Sequence, residues 1–440
     1  MRELNIFNNN ILVGHLRSKE NSNDFTFIYA VSWIKSGFVL TPSLPLTSEV
    51  NQVIARNFIE NLLPEGSGLD EICNYFNISK SNKFGLIEAI GKETTGSLIF
   101  STNKENNKYD TTFREITQQE LSHRIEKRKS IPLSIWDNKP RLSIAGVQEK
   151  LLVSIINGKY GLADGDLSST HILKFDKYDE NLVLNEFISL KLAQAVGIKI
   201  PNIEIINFNS EQVLKVERFD RNIISDKFIE RLHIVDMCQV NGVPVSYKYE
   251  RPYGSNESTK DIRDGISFKK VFDATSFSKI PVLDKKKIID WTIVNLCLGN
   301  CDAHGKNISF FVDKRGKLEL TPFYDIVNIQ MYKEKYSQEL AMGIYDEFII
   351  ENIKAYDFIE FCENNNIKIK TFINRFIELS NKIIINLNNL DLKNYTKSKL
   401  MSCDMNNKKN DEFINRYKKD CINRINTLIE NIKIINEITI

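Results

Sequence analysis

A polar loop set between two apolar stretches constrains this chain more than any other feature. The loop covers residues 300–307, with the sequence NCDAHGKN, and it follows an apolar helical stretch and precedes an apolar strand. Asp302 and Asn307 lie five positions apart within it. A carboxylate and an amide at this spacing are typical of loops that transfer a phosphoryl group, where the carboxylate accepts a proton from the acceptor hydroxyl and the amide oxygen binds Mg²⁺. The spacing therefore predicts phosphoryl transfer, with Asp302 as the base.

Charged residues elsewhere in the sequence supply the other parts that phosphoryl transfer needs. Lys306 lies within the loop and can reach the transferring phosphate. Asp325, in FYDI, stands 18 residues after Asn307, where a second Mg²⁺ ligand belongs. Lys174 lies in the apolar stretch HILKF, where an unpaired ammonium group would be costly. Glu186 is one candidate for its partner, because a strand lysine and a helix glutamate together place nucleotide phosphates in kinases.

Two other features leave more than one interpretation open at the level of the residues. The stretch SIAGVQEK contains Gly146 and Lys150 but matches neither of the common glycine-rich phosphate-binding patterns, so the residues alone are a weak sign of a phosphate loop. His304 would suit a hydrolase as a general base, yet none of the five histidines accompanies a Gly-x-Ser-x-Gly elbow. We expect His304 to hold the loop through a hydrogen bond or to contact the nucleotide.

The first 105 residues have the pattern of a small α+β unit. Residues 50–62 have the spacing of an amphipathic helix. Short β-type runs precede it at residues 11–16, 25–29 and 38–40. No catalytic constellation occurs in this unit, so we expect it to act as a lid, a regulatory part or an interaction surface.

Three later stretches predict further elements. The pair Asn157-Gly158 between two apolar runs predicts a tight hairpin turn. Residues 249–265 are polar and charged, and we expect a mobile surface loop there. Apolar residues recur at steps of three or four over residues 413–435, which predicts a long, packed C-terminal helix.

Composition and charge exclude several classes of protein. The 440 residues carry 59 Lys and Arg against 57 Asp and Glu, a formal net charge of +2, which gives no overall basicity for nucleic acid or an anionic membrane. We find no apolar stretch of about 20 residues and no secretory leader pattern, so we expect a cytoplasmic protein without a membrane segment. Seven widely spaced cysteines without a C-x-x-C pair favour reduced thiols over a zinc site.

Seven motifs, taken in chain order, resemble those of a known family. They are SIAGVQEK, THILKF, NEFISLKLAQAVGI, VERFDR, DMCQ, GNCDAHGKN and TPFYDI. In this order they resemble the HipA family of bacterial serine/threonine kinase toxins. The resemblance implies an α+β, two-lobed protein-kinase-like fold related to the lipid-kinase branch. It implies a small α+β N-terminal subdomain over residues 1–105, a kinase N-lobe with the phosphate loop and the ATP lysine over 106–228, and a mainly helical C-lobe with the catalytic loop over 229–440.

The resemblance also implies roles for single residues. Asp302 resembles the catalytic base, and Asn307 and Asp325 resemble the Mg²⁺ ligands. Ser143 resembles a serine that family members autophosphorylate, which expels the phosphate loop and stops the kinase. A phosphate there adds a charge of about −1.5 to −2 and would repel the phosphates of ATP. The positions that resemble the family's ATP-binding residues are Ala145, Gly146, Val147, Gln148, Glu149, Lys150, Lys174, Glu217, Phe219, Gln239, His304, Gly305, Lys306, Asn307, Tyr324 and Asp325.

A toxin function and a set of partners follow from the same resemblance. The implied cofactors are ATP and Mg²⁺. The implied substrate is a host protein, in the best-known members an aminoacyl-tRNA synthetase, whose phosphorylation stops translation and growth. The implied partner is a HipB-type helix-turn-helix antitoxin, and contact with DNA would be made mainly through that antitoxin.

Two other functions remain open for a chain with these motifs. One is a kinase-fold co-repressor or binding module that acts with a HipB-type antitoxin on operator DNA without phosphoryl transfer. The other is a small-molecule or lipid kinase. The intact Asp302, Asn307 and Asp325 favour an active protein kinase over the first of these.

Overall fold

Two units share this chain, and each combines segments that are distant in the sequence. The computed structural model describes residues 1–19, 22, 24–104, 111–128, 130–137, 139–141, 148–176, 180–208, 211–391 and 408–438. The first unit comprises Met1–Val183, Pro201–Val245 and Phe310–Glu319, and the second comprises Leu184–Ile200, Ser246–Ser309 and Leu320–Ile440. The domain boundaries expected near residues 105 and 228 remain predictions.

A four-stranded antiparallel sheet opens the first unit. Its strands are β1 (Arg2–Asn8), β2 (Ile11–Ser18), β3 (Thr26–Tyr29) and β4 (Leu98–Ser101), in the order β3-β2-β1-β4. Four helices lie between β3 and β4 in the chain, namely α1 (Val31–Ser36), α2 (Gln52–Glu60), α3 (Gly66–Phe76) and α4 (Lys83–Ile90). The predicted strands at residues 11–16 and 25–29 and the predicted helix at 50–62 are therefore confirmed.

The third predicted run, residues 38–40, is not a strand. Phe38 packs against Trp33 of α1 with ring centroids 5.0 Å apart. Its carbonyl oxygen accepts a hydrogen bond from Trp33 Nε1 at 3.1 Å. These contacts hold the segment against α1 in an irregular conformation, because the aromatic packing outweighs the β propensity of a three-residue run.

A six-stranded antiparallel sheet forms the second part of the first unit. Its strands are β5 (Thr112–Glu115), β8 (Lys150–Ile156), β9 (Lys159–Asp164), β10 (His171–Phe175), β11 (Ile203–Phe208) and β12 (Glu211–Glu217), in the order β11-β12-β10-β8-β9-β5. Helix α5 (Gln118–Glu126) and the short paired strands β6 (Ile135–Trp136) and β7 (Lys139–Pro140) lie between β5 and β8. The predicted hairpin turn is confirmed, since Asn157 and Gly158 join β8 to β9 with φ of 52° and 77°.

Smaller elements complete the sheet structure. The hairpin β13 (Arg221–Ser225) and β14 (Phe228–Arg231) follows β12. Strands β15 (Ile234–Asp236), β16 (Ser309–Val312) and β17 (Leu318–Leu320) form a three-stranded sheet, and β18 (Glu339–Ile344) pairs with β19 (Glu347–Ile349). Helix α6 (Leu182–Ala195) lies between β10 and β11, and α7 (Met237–Asn241) follows β15.

The second unit is mainly helical. Its long helices are α8 (Phe268–Ala274), α9 (Pro281–Leu298), α10 (Ala355–Asn364), α11 (Ile369–Asn388) and α12 (Lys408–Ile438). Helix α12 packs against α9, α10 and α11. The predicted C-terminal helix is confirmed as α12, and the apolar positions that predicted it are buried, namely Phe413, Tyr417, Cys421, Ile425, Leu428, Ile432 and Ile435. Among the described residues, no helix has the length and apolar character needed to cross a membrane.

The expected mobile loop at residues 249–265 is instead anchored at both ends within the second unit. Glu250 is buried and accepts hydrogen bonds from the N–H of Gly343 (2.8 Å) and from Arg263 Nε (2.7 Å). The Glu250 N–H donates to the Ala341 carbonyl oxygen at 2.9 Å. The Glu250 carboxylate is buried with a cation and a backbone donor and holds the ends of the segment, whereas the mobility expected for the exposed residues between them stays a prediction.

Buried charges tie the motif VERFDR to an earlier part of the first unit. Asp220 accepts hydrogen bonds from Arg218 Nε (2.9 Å), from Arg221 Nη1 (2.8 Å) and from the N–H of Gly96 (2.8 Å). Both arginines also lie 3.4 Å from Glu93. Burial alone would raise the pKa of Asp220, but the two arginines outweigh it and hold this pKa well below its usual value. The cluster therefore contributes to stability only while its carboxylates are charged.

The Asp220→Asn substitution tests this cluster. It keeps the shape of the side chain but leaves buried arginine charge without its anion, so we expect the free energy of unfolding to fall by about 3–5 kcal/mol. The matched control is Asp137→Asn, which removes an exposed ion pair with Arg114 at 2.9 Å and should cost less than about 1 kcal/mol. Urea unfolding of both variants measures the difference. Equal stabilities would show that the cluster does not hold the first unit together.

Candidate active site

Helix α9 positions the loop of residues 300–307. The helix has Pro281 in its first turn and ends at Leu298, and Gly299 caps it with φ of 73°, a conformation that favours glycine. A Cβ atom at position 299 would lie 2.6 Å from the guanidinium carbon of Arg424. The backbone conformation therefore favours glycine here, and a side chain would also have to displace the guanidinium group of Arg424 on α12.

Asn300 links the start of the loop to the segment that carries Asp325. Its side chain is buried, and Nδ2 donates to Asn295 Oδ1 at 2.7 Å and to the Asp325 carbonyl oxygen at 3.3 Å. Its Oδ1 accepts a hydrogen bond from the N–H of Asp302 at 3.2 Å. One amide thus contacts helix α9, the proposed base and the backbone of the proposed metal ligand.

Further hydrogen bonds fix the backbone around Asp302. The Asp302 carbonyl oxygen accepts from Asn307 Nδ2 at 2.9 Å and from the His304 N–H at 2.8 Å. The side chain is partly exposed, and its Oδ1 accepts a hydrogen bond from the Tyr249 hydroxyl at 2.7 Å. The loop therefore fixes the backbone of Asp302 while its carboxylate stays accessible to a hydroxyl donor.

Asn307 and Asp325 have the features expected of metal ligands. The Asn307 amide nitrogen is used in the hydrogen bond to Asp302, which leaves the amide oxygen for a cation. Asp325 has φ of 53°, an uncommon conformation for a residue with a side chain and one that often marks functional positions. Among the described residues no cluster of three or more His, Cys, Asp or Glu could hold a metal ion. Two oxygen donors nevertheless fit Mg²⁺, which usually takes few protein ligands and completes its shell with phosphate oxygens and water.

Lys306 is buried, and a hydrogen bond to its main chain fixes its position in the loop. Its side chain is buried, and the Tyr324 hydroxyl donates to its carbonyl oxygen at 2.8 Å. The same hydroxyl lies 2.6 Å from Ser309 Oγ. The preceding residue, Gly305, donates its N–H to the Lys248 carbonyl oxygen at 2.9 Å. These contacts give Tyr324 and Gly305 the role of shaping the loop.

His304 is a neutral residue in this site. Burial lowers its pKa to about 3, and Lys248 and Lys306 act in the same direction. Its ring meets that of Tyr249 edge to face with centroids 5.2 Å apart. Nδ1 is buried and has no hydrogen-bond partner among the described residues. The hydrolase interpretation loses support, because no described nucleophile bonds this nitrogen, and an atom of this kind suits contact with a ligand.

The first unit contains the other residues that were expected to bind phosphate. Lys174 and Lys150 are buried and stand directly opposite each other on β10 and β8. Residues opposite each other in an antiparallel pair have side chains on the same face, so both lysine side chains leave the same face of the sheet. Gln148 Nε2 donates to the Phe175 carbonyl oxygen at 3.1 Å, and the Phe175 N–H donates to the Glu149 carbonyl oxygen at 3.1 Å.

The roles expected for five further positions stay predictions. Glu186 on α6 is buried, and its pairing with Lys174 remains a prediction. Ser143, Ala145, Gly146 and Val147 lie outside the described residues.

Glu217, Phe219 and Gln239 have contacts within the first unit. Glu217 accepts a hydrogen bond from Asn202 Nδ2 at 2.8 Å, and the Phe219 ring packs on that of Phe311 with centroids 6.0 Å apart. Gln239 forms a capping box at the start of α7, and its Nε2 donates to the Phe58 carbonyl oxygen at 3.0 Å. These contacts favour a structural role for Gln239, and its contact with nucleotide remains a prediction.

Sequence reasoning missed two residues of the site. Asn300 was taken only as the start of the loop, and Tyr249 was placed in a mobile surface segment. Nothing in the local pattern marks Tyr249, since its partner Asp302 is 53 positions away. The sequence does carry a signal for Asn300. It directly follows the glycine that caps α9, and an amide at this position can bond to the end of the helix.

Comparison with known proteins decides the family. The family model described as the HipA-like C-terminal domain matches residues 142–384, and that of the HipA N-terminal domain matches residues 4–101. The serine/threonine-protein kinase toxin HipA of Shewanella oneidensis is 41% identical to this chain over 376 residues, which is 85% of this chain and 86% of that protein. This chain belongs to the HipA family. The resemblance drawn from the seven motifs is therefore confirmed.

A solved structure of a HipA protein confirms the fold class. The Shewanella oneidensis HipA in a complex with HipB and its operator DNA matches this structure with a TM-score of 0.87 and 36% identity, over 99% of each chain. The α+β, protein-kinase-like fold expected for a HipA member is thus confirmed. The prediction that the chain is a serine/threonine kinase is confirmed at the level of the HipA family.

The Asn300→Ala substitution tests the link that this amide makes. It removes the contacts of Asn300 with Asn295, Asp302 and the Asp325 carbonyl oxygen, so we expect kcat for ATP turnover to fall at least about tenfold. The control is Asn386→Ala, which removes a hydrogen bond to the Lys382 carbonyl oxygen (2.8 Å) on the exposed side of α11. Steady-state kinetics on both purified variants provide the comparison, and an unchanged kcat for Asn300→Ala would contradict the role of this amide.

Proposed function

We propose that this chain is an ATP-dependent serine/threonine protein kinase that acts as the toxin of a toxin–antitoxin module in the cytoplasm. The observation that carries the proposal is the ordered loop in which the Asp302 backbone is fixed by Asn300 and Asn307 while its carboxylate contacts a hydroxyl. A base placed in this way can accept the proton of an acceptor hydroxyl. Membership of the HipA family supplies the toxin context.

The chain's own residues divide the work of phosphoryl transfer. Asp302 accepts the proton of the serine or threonine hydroxyl. Asn307 and Asp325 would hold Mg²⁺, which neutralises negative charge on the phosphates when it is bound. Lys306 adds a positive charge beside the transferred phosphoryl group.

The remaining proposed ATP-binding positions serve the nucleotide itself. Lys174 and Lys150 are proposed for the phosphates, since both side chains leave the same face of the sheet. His304 would contact ATP through a neutral ring, which suits the nitrogen that has no partner among the described residues. The family resemblance alone supports the other positions, which are Ala145, Gly146, Val147, Gln148, Glu149, Glu217, Phe219, Gln239, Gly305 and Tyr324.

The protein substrate and the partner are inferred from relatives. We assign the acceptor to a host protein, with an aminoacyl-tRNA synthetase as the first candidate, because loss of tRNA charging would stop translation and growth. A HipB-type helix-turn-helix antitoxin is the proposed partner, since the Shewanella oneidensis HipA occurs in a complex with HipB and operator DNA. A formal net charge of +2 agrees with DNA contact made mainly through such a partner.

That same complex favours one second candidate function. The chain could serve as a kinase-fold co-repressor that binds a HipB-type antitoxin on operator DNA and transfers no phosphate. The two functions differ in turnover, because a co-repressor would bind nucleotide without consuming it.

The Asp302→Asn substitution distinguishes these functions. It keeps the size of the side chain but removes the base, so we expect phosphate incorporation from γ-labelled ATP to fall about 10²–10⁴-fold and growth inhibition to disappear. Asp346→Asn is the control, since Asp346 pairs with Arg263 at the surface and lies outside the proposed site. Full phosphate transfer by Asp302→Asn would exclude Asp302 as the base. Growth inhibition that persists without any transfer would favour the co-repressor.

The Ser143→Ala substitution tests self-limitation by autophosphorylation. Without the acceptor hydroxyl the kinase cannot stop itself, so we expect stronger growth inhibition at equal expression. Mass spectrometry of the purified wild-type chain should show phosphate on Ser143. Ser225→Ala, at an exposed position of β13, serves as the control. Unchanged toxicity together with an unphosphorylated Ser143 would contradict this switch.

A further inference from the structure

The Tyr249 hydroxyl occupies the place at Asp302 where an acceptor hydroxyl is needed. It donates a hydrogen bond to Asp302 Oδ1 at 2.7 Å. A general base must lie within about 2.6–3.2 Å of the oxygen whose proton it accepts. We infer that Tyr249 holds the acceptor position of Asp302 in the substrate-free chain and that a serine or threonine hydroxyl must displace it. This inference rests on the proposed function. It adds a means by which the same site keeps water from the acceptor position and so limits ATP hydrolysis.

The backbone on both sides of Tyr249 is fixed. The Lys248 carbonyl oxygen accepts a hydrogen bond from the Gly305 N–H at 2.9 Å, and the Glu250 N–H donates to the Ala341 carbonyl oxygen at 2.9 Å. The first of these bonds joins the segment directly to the loop that carries Asp302. The position of the phenol relative to the base is therefore set by the fold and not by a freely moving loop.

The side chain of Tyr249 can nevertheless leave the base. Its exposed fraction is 37%, so the ring borders solvent on one side. Rotation about the side-chain bonds would carry the hydroxyl into water without breaking the backbone hydrogen bonds on either side. Displacement costs the phenol one charge-assisted hydrogen bond to Asp302. A docked protein acceptor can offset this cost through its other contacts with the chain, whereas a single water molecule brings no such contacts.

Packing against His304 directs the phenol toward the carboxylate. The two rings meet edge to face, with centroids 5.2 Å apart and an interplanar angle of 88°. The imidazole is neutral because burial lowers its pKa to about 3. It therefore offers Tyr249 a ring contact and places no positive charge of its own beside Asp302. The Lys248 ammonium group lies 5.3 Å from the Tyr249 ring centroid and adds a cation–π contact.

Exclusion of water from Asp302 has a chemical consequence. If water took the acceptor position, its oxygen would form a bond to the γ-phosphorus of ATP while the bond from that phosphorus to the β,γ-bridging oxygen broke. The water proton would pass to Asp302, and ADP and inorganic phosphate would leave. With the phenol in place this hydrolysis is suppressed, whereas a docked protein acceptor displaces the phenol and takes up the phosphoryl group. Tyr249 is thus a positioning residue that acts through Asp302.

The test is ATP hydrolysis by the purified full chain with Mg²⁺ and no protein acceptor. Tyr249→Phe keeps the ring and its contact with His304 but removes the hydroxyl, so we expect the hydrolysis rate to rise about tenfold. A second substitution, Asp302→Asn, in the Tyr249→Phe chain should return the rate to the level of Asp302→Asn alone. The matched control is Tyr253→Phe, whose hydroxyl bonds to that of Tyr247 at 2.8 Å, and its rate should equal that of the wild type. Impaired folding cannot produce the expected gain, since it lowers every rate.

The outcomes separate this inference from the proposed function. A wild-type chain that hydrolyses ATP faster than Asp302→Asn, with Tyr249→Phe at or below the wild-type rate, overturns the inference and leaves the kinase function standing. A wild-type rate no higher than that of Asp302→Asn, together with no gain in Tyr249→Phe, also overturns the inference, and the proposed function falls with it only where the wild-type chain transfers no phosphate to protein either. Phosphate found on Tyr249 itself by mass spectrometry would also overturn the inference, because the phenol would then be an acceptor.

Discussion

The buried amide of Asn300 is the interaction on which the site in the second unit depends. Asn300 contacts the end of α9, the N–H of Asp302 and the carbonyl oxygen of Asp325 at 2.7, 3.2 and 3.3 Å. A base and a metal ligand from separate segments must keep a constant separation, because small errors in position cost large factors in rate. An amide can join them since it donates and accepts at once, whereas an aspartate at this position would have no donor.

Helix α12 packs against the same region and stabilises it. Arg424 on this helix donates from Nη1 to the Cys297 carbonyl oxygen at 3.2 Å and from Nε to the side chain of Gln330, and it also pairs with Asp420. Its guanidinium group fills the space beside Gly299 that any side chain there would take. The C-terminal helix therefore reaches the start of the loop of residues 300–307, and Arg424 also holds Gln330 in the segment after Asp325. A chain shortened before residue 408 would lose this support.

Features of this protein that depend on neighbouring residues could be predicted from the sequence, whereas contacts between residues far apart in the chain could not. The hairpin at Asn157-Gly158 and the pattern of α12 are local, and they predicted elements that the structure contains. The spacing of Asp302 and Asn307 is local as well, and the catalytic roles that it indicates stay predictions. The ion cluster around Asp220 and the contact of Tyr249 with Asp302 join residues far apart in the chain, and no local pattern encodes such pairs. Glu250 is a further example, since it holds the segment of residues 249–265 through a hydrogen bond from Gly343, 93 positions away.

The most direct test of the central claim, that this HipA family member transfers phosphate to a protein, is a phosphoproteome. Cells that express the wild-type chain are compared with cells that express Asp302→Asn at the same level. The account predicts a serine or threonine phosphosite, on one or a few host proteins, that appears before growth stops and is absent with Asp302→Asn. Growth arrest by the wild-type chain with no difference in protein phosphorylation between the two cultures would contradict it.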